Sequence, residues 1–290
     1  MKNIVTFQRL LEETRSSNKR IYEVFQELES YMLERSIEDV RQLMKRNLNV
    51  MAASVRDGLS HYGPSPSGMS GELAQKILRR YQNPNKSAFN LLLGKILTYA
   101  VAVSEENQRM GRVVACPTAG ACGIMPSVLI AYAEEYGFNE EEQVNALITA
   151  GAIGKIIAQQ MELAGAVGGC QAECGVASAM AAGAVVELMG GTNEQIVHAA
   201  TLALKNIMGL VCDPVAGLVE VPCIKRNGFL AIHAVTASEM ALAGVESFIP
   251  PDEVVKAVKQ VGVLMSPLLK ENSEGGLAIT ETAKKVVPQP

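Results

Sequence analysis

The 290-residue sequence contains no tryptophan, and aromatic residues make up only 4% of it. β-Sandwich cores lean on aromatic and β-branched side chains, so this scarcity points to helices packed through Ala, Val, Ile, Leu and Met. There is no excess of positive charge: 26 basic residues face 30 acidic ones, for a net charge of −4. That removes the electrostatic footprint of a nucleic-acid binder, and no polybasic segment addresses an anionic membrane. No apolar run reaches the roughly 20 residues of a membrane span. The stretches 125–133, 144–158, 175–189 and 228–244 are interrupted by residues such as Lys155, Glu187 and His233. The N-terminus carries charges throughout and lacks the apolar core of a signal peptide. These absences lead us to expect a soluble, cytoplasmic protein without nucleic-acid or membrane partners. Six cysteines in a chain of this length are too sparse for a disulfide scaffold and read as thiols or metal ligands.

Hydrophobic residues at 48% and charged residues at 19% provide for a buried core and exclude general disorder. In residues 1–57, Phe7, Leu10, Leu11 and then Ile21, Val24, Phe25, Leu28, Tyr31 and Met32 recur at three and four, which predicts two or three amphipathic helices. Ser36 followed by Glu38 and Asp39 marks a helix start. The run 60–71, SHYGPSPSGMSG, has no apolar period and reads as a loop. Beyond it, helices are expected over 87–107, 124–136, 140–162, 172–189, 193–208, 228–244 and 252–268, with one short strand at 111–116. The segments 144–158 and 175–189 are apolar or small almost all round, as in helices inside a bundle. The expected fold is all-α. The change of composition suggests a helical segment 1–59 and a helical domain 60–290 carrying the site, or one domain with the first helices packed on it.

Three cysteines stand at helix punctuation: Cys170 in GAVGGCQAECG, Cys212 in GLVCDPVAG and Cys223 in EVPCIKRNG. Free backbone amides at such places favour thiolates and negative clusters. Three thiolates could hold an iron–sulfur cluster with one iron left open as a Lewis acid. Yet no CxxC pair exists, and gaps of 41 and 10 residues match no general motif; spacing alone favours three ordinary buried thiols. Cys174, four residues after Cys170, reads as a packed thiol or half of a metal clip. Cys116 and Cys122 read as core thiols or a redox pair.

The turn CPTAGACGIMP leaves the amides of Thr118, Ala119, Gly120 and Gly123 unshielded before a helix, which suits a substrate carboxylate or a plain helix cap. Ser65, Ser67 and Gly68 of the 60–71 loop are further substrate-binding candidates, and His61 a candidate base, against the plainer reading of a solvated loop histidine. Lys155 and Lys205 lie in apolar helices, where a lysine serves as a base with a depressed pKa or snorkels to the surface. His198 and His233 read as satisfied helix histidines. No lysine stands beside a phosphate-binding glycine loop of the kind pyridoxal enzymes use.

The runs AVAVSEENQRMGRVVACPTAGACGIMP, GGCQAECGVASAMAAGAVVELMGG and GLVCDPVAGLVEVPCIKRNG resemble, in order, the α subunit of the iron–sulfur L-serine dehydratases. The resemblance covers roughly residues 60–245. It implies an all-helical domain packed around a buried central helix, with loops carrying the site. It implies a [4Fe-4S] cluster on Cys170, Cys212 and Cys223, the PTAGACG turn at the substrate, and a separate β subunit. The implied reaction is elimination of water from L-serine without pyridoxal phosphate, to give pyruvate and ammonia. The sequence departs from the family pattern at Gln160–Leu163 and at Glu72, where glycine is commoner. L-threonine, L-cysteine or another β-substituted amino acid is an alternative substrate, and a non-catalytic cluster-binding subunit an alternative role.

Overall fold

The structure, a computed structural model, describes residues 4–82 and 87–286. Among the described residues it is all-α, with twelve α-helices and no strand. The first three are α1 (Phe7–Ser17), α2 (Ile21–Leu33) and α3 (Ile37–Ser60), and α3 starts at the Ser36–Asp39 capping box that the sequence marks. Next come α4 (Leu73–Tyr81), α5 (Leu91–Gln108), α6 (Ile124–Tyr136) and α7 (Glu140–Ala158). The series closes with the single turn α8 (Gly165–Gly168), then α9 (Cys170–Leu188), α10 (Asn193–Lys205), α11 (Cys223–Leu242) and α12 (Pro251–Leu264).

Helix α9 is the centre. Every residue of it except Glu187 is buried, and α6, α7, α10 and α11 pack around it. Its Ala, Gly and Ser side chains let those neighbours approach on all sides, so no face needs to be polar. The exception, Glu187, accepts Arg20 Nη2 at 2.7 Å and the Thr149 hydroxyl at 3.0 Å. That pair ties the start of α2 to the central helix. Phe7, Leu10, Ile21, Phe25 and Leu28 join the same buried cluster as α7 and α9, and Asp252 caps α1 by accepting the Phe7 and Gln8 amides.

Several details differ from the sequence expectation. The strand expected at 111–116 does not form: Val113 and Val114 favour an extended chain, but among the described residues there is no second strand for it to pair with. Helix α4 has no sequence-local cap, because its first amides, Leu73 and Ala74, donate to the buried carboxylate of Glu105 on α5. Glu72, just before α4, holds a left-handed backbone at φ 55, the conformation in which glycine is easiest, and its carboxylate accepts the Gly63 amide at 3.1 Å. Gln160 faces α12, donating to Asp252 at 3.0 Å. The last residues of the expected tail, 287–290, lie outside the described residues. No helix among the described residues is long and apolar enough to cross a membrane.

Helices α3 and α5 run side by side and end together. They press together at Gly58, where any Cβ would run into the Ala102 carbonyl. Three residues later α3 ends at His61, and four residues after Ala102 stands Glu106. Gly58→Ala therefore has to push backbone from backbone. We expect it to cost about 1–3 kcal/mol in urea unfolding, and an unchanged midpoint would show that the two helices can separate freely.

Candidate active site

The three loops that the sequence singles out meet at the N-terminus of α9. The Cys170 and Cys212 sulfurs and a Glu173 carboxylate oxygen all lie within 4.8 Å of one another, and all three residues are buried. Cys223 is the first residue of α11 and is also buried. It stands outside that 4.8 Å group, close enough for the charge of Cys170 to act on it. Cys170 takes hydrogen bonds from the Cys174 and Cys212 thiols and lies beside the Arg226 guanidinium, which together hold its pKa well below the usual thiol range. The same contacts, with burial, push Cys174 and Cys212 up. Burial pushes the Cys223 thiol up to about 12 and the Glu173 carboxyl up to about 7. One thiolate is thus favoured in a pocket where the other sulfurs keep their protons until something positive replaces them.

The backbone around the thiols is held from several directions. Cys212 sits in a parallel bridge with Lys270, its amide donating to the Leu269 carbonyl at 2.9 Å. Arg226, one turn into α11, donates to the Val211 carbonyl at 2.9 Å, to Asp213 at 2.8 Å and to the Cys170 sulfur at 3.5 Å. The neighbouring Asn227 clamps the second half of the PTAGACG turn, accepting the Gly123 amide at 2.9 Å and donating to the Gly120 carbonyl at 2.8 Å. Neither Arg226 nor Asn227 stands out in the sequence, although both follow Cys223 within one helical turn. Arg226→Met keeps most of the volume and strands the Asp213 carboxylate, 4% exposed, without its cation. We expect a loss of about 3–5 kcal/mol in urea unfolding of the cluster-free chain; a loss below about 1 kcal/mol would mean that the pair carries little of the fold.

The C-terminal turn of α5 organises the remaining loops. Four consecutive residues each hold a different segment. Glu105 caps α4, Glu106 accepts His61 Nδ1 at 2.7 Å, Asn107 donates to the Ala119 carbonyl at 3.3 Å, and Gln108 donates to the Val219 carbonyl. The base candidate, the PTAGA turn and the chain leading into Cys223 are therefore referenced to one helix end. The polar run SEENQ was the available signal.

The candidates fare differently. The amides of Ala119 and Gly120 carry no hydrogen bond among the described residues, whereas that of Gly123 is taken by Asn227. The Thr118 hydroxyl is buried, makes no well-formed hydrogen bond among the described residues, and lies close enough to the Glu173 carboxylate to favour its charged form. Ser65 and Ser67 donate to the buried Glu220 carboxylate at 2.5 Å each, Ser70 joins them, and the Gly68 amide closes the loop on the Ser65 carbonyl. Those hydroxyls fasten the 60–71 loop to the segment before Cys223. Lys155 is not brought to the thiols. It pairs with Glu29 over the Phe25 ring, and its neighbour Gly154 packs on Met180, ten residues or about 15 Å along α9 from Cys170. Its charge is met by α2, so a role as base has no support in the geometry. Lys205 approaches the Ser247 hydroxyl, while His198 accepts the Ser247 amide and His233 bonds to the Ala203 carbonyl. Cys116 and Cys122 are free, buried thiols pushed up to about 12 by burial.

The family model described as serine dehydratase alpha chain matches residues 16–278. The chain belongs to this family. It is 44% identical over 277 residues to the probable L-serine dehydratase alpha chain of Bacillus subtilis, covering 96% of this chain and 92% of that protein. It is 43% identical over 267 residues to the L-serine dehydratase alpha chain of Peptoniphilus asaccharolyticus, covering 92% and 91%. The L-serine dehydratase of Streptomyces coelicolor is 40% identical over 260 residues, which span 87% of this chain and 56% of that longer one. The family match includes all three cysteine loops, the PTAGA turn and the SEENQ helix end.

The residues around Cys170 suit an iron–sulfur group on their chemistry. Three thiols arrive from three separate chain segments. The Thr118 hydroxyl is buried against the Glu173 carboxylate that groups with two of them. The Arg226 cation stands ready for the negative charge of a thiolate-bound cluster.

Proposed function

We propose that this chain is the cluster-bearing α subunit of an L-serine dehydratase. The enzyme eliminates water from L-serine without pyridoxal phosphate, and the resulting enamine tautomerises and hydrolyses to pyruvate and ammonia. The observation that carries this reading is the meeting of the cysteine loops at the start of the central helix in a chain of this family. Cys170, Cys212 and Cys223 would hold a [4Fe-4S] cluster. When bound, such a cluster with one iron free of cysteine supplies a Lewis acid for departure of the β-hydroxyl.

The chain's own residues supply the rest. The unspent amides of Ala119 and Gly120, with the Thr118 hydroxyl, bind the substrate carboxylate. Ser65, Ser67 and Gly68 act at one remove, by fixing the loop that carries His61. His61, half exposed at the end of α3, takes the α-proton. The buried walls around Glu173 and the thiols keep bulk water from the reacting atoms. A separate β chain completes the enzyme, as the alpha-chain names of the relatives and the greater length of the Streptomyces protein suggest. Six free, buried thiols suit a reducing compartment, and we place the enzyme in the cytoplasm. The first three helices belong to the same domain as the site, because they share its core.

A second reading rests on the close grouping of Glu173 with two of the thiols: a single soft metal ion in a sulfur–carboxylate site. Anaerobically prepared chain, combined with its β partner, should release ammonia and pyruvate from L-serine and turn over L-threonine and L-cysteine more slowly. Bound iron with no turnover on any of the three would instead mark a non-catalytic subunit.

A further inference from the structure

Glu106 is buried, and its only ionic partner among the described residues is His61, whose Nδ1 lies 2.7 Å from Oε2. An ionised carboxylate accepts and cannot donate, so the proton of this bond sits on Nδ1. In the neutral ring that leaves the lone pair on Nε2, which meets no partner among the described residues, on a side chain that is 50% exposed. Glu106 has little freedom to leave. A side chain at residue 111 would run into its carboxylate, so glycine stands there, and the Gly111 amide closes on the Glu106 carbonyl at 3.0 Å. On the other side, the Gly58 contact between α3 and α5 keeps His61 within reach. The next two residues, Asn107 and Gln108, hold the PTAGA turn and the segment before Cys223, so the imidazole and the substrate turn share one rigid reference.

We propose that Glu106 is a positioning residue of the elimination: it fixes His61 as the Nδ1–H tautomer and presents Nε2 to the substrate's α-proton. This rests on the reading of His61 as the base. In the step it serves, the Cα–H bond breaks and its proton bonds to Nε2. The electron pair forms the Cα=Cβ bond, and hydroxide leaves Cβ. A ring in the opposite tautomer carries a proton where it has to accept one.

Three histidines make the tautomer measurable in 15N-histidine-labelled chain, with His61→Gln identifying the signal. Wild type should show a protonated Nδ1 and a bare Nε2. Glu106→Leu should move His61 toward the Nε2–H form. In the assembled holoenzyme it should lower kcat about 10–100-fold and leave KM within about twofold. Glu106→Gln guards against a folding artefact, because its amide can present either its carbonyl or its NH2 to the ring. Its rate should follow whichever tautomer it imposes: near wild type with Nδ1–H, impaired with Nε2–H. An Nε2–H ring in wild type overturns the inference. So does a Glu106→Leu enzyme at wild-type kcat when His61→Gln is impaired. A His61→Gln enzyme at wild-type rate removes the base reading itself, and the inference with it.

Discussion

Changing Cys170, Cys212 or Cys223 to alanine, one at a time, should strip bound iron from anaerobically prepared protein and take ammonia release to background. Cys170 begins α9, Cys223 begins α11 and Cys212 lies in the loop between α10 and α11, so each thiol enters from a different segment. Cys174 is the internal control. It is equally buried and touches Cys170, but it lies one turn further along α9 among the core side chains. Cys174→Ala should keep most of the iron and most of the activity, with a stability cost of about 1 kcal/mol for the small cavity. Equal tolerance of all four changes would remove the cluster from the account. Equal loss in all four would mean that the pocket is shaped differently from what the loop positions imply.

The second large effect is on His61. His61→Ala should lower kcat about 10²–10⁴-fold, the usual contribution of a positioned general base, while KM and the cluster's absorbance stay near wild type. The cluster should survive because His61 is held by Glu106 and by the end of α3, and not by any of the cysteine loops. With α-deuterated serine, the residual activity should show a larger isotope effect than wild type, since proton removal then limits the rate. A variant that loses iron together with activity would make His61 a structural support of the cluster.

Local patterns made much of this molecule legible. The helix at 124–136 is observed with those bounds, because a glycine-rich turn opens it and Gly137, in a left-handed conformation, closes it. The uniformly small and apolar segment 175–189 proves to be most of the central helix, since a helix without a polar face has to be surrounded. What escaped was non-local. Helix α4 is nine residues long and is capped by Glu105, some thirty positions later in the chain, so no start signal lies beside it. The serines of the 60–71 loop were recognisable as hydroxyl donors, but their acceptor, Glu220, is about 150 residues away. Lys155 stood out as a charge in an apolar helix, and only the packing of α2 against α7 shows that Glu29 answers it. The SEENQ run shows its polarity at the end of an expected helix, but its work lies in the loops that other parts of the chain bring to it.

The most direct test of the metal centre is the ratio of iron to acid-labile sulfide in the chain purified under strict exclusion of oxygen. About four irons and about four sulfides per chain are the expected result. One metal ion without sulfide, or a colourless protein free of iron, would contradict it.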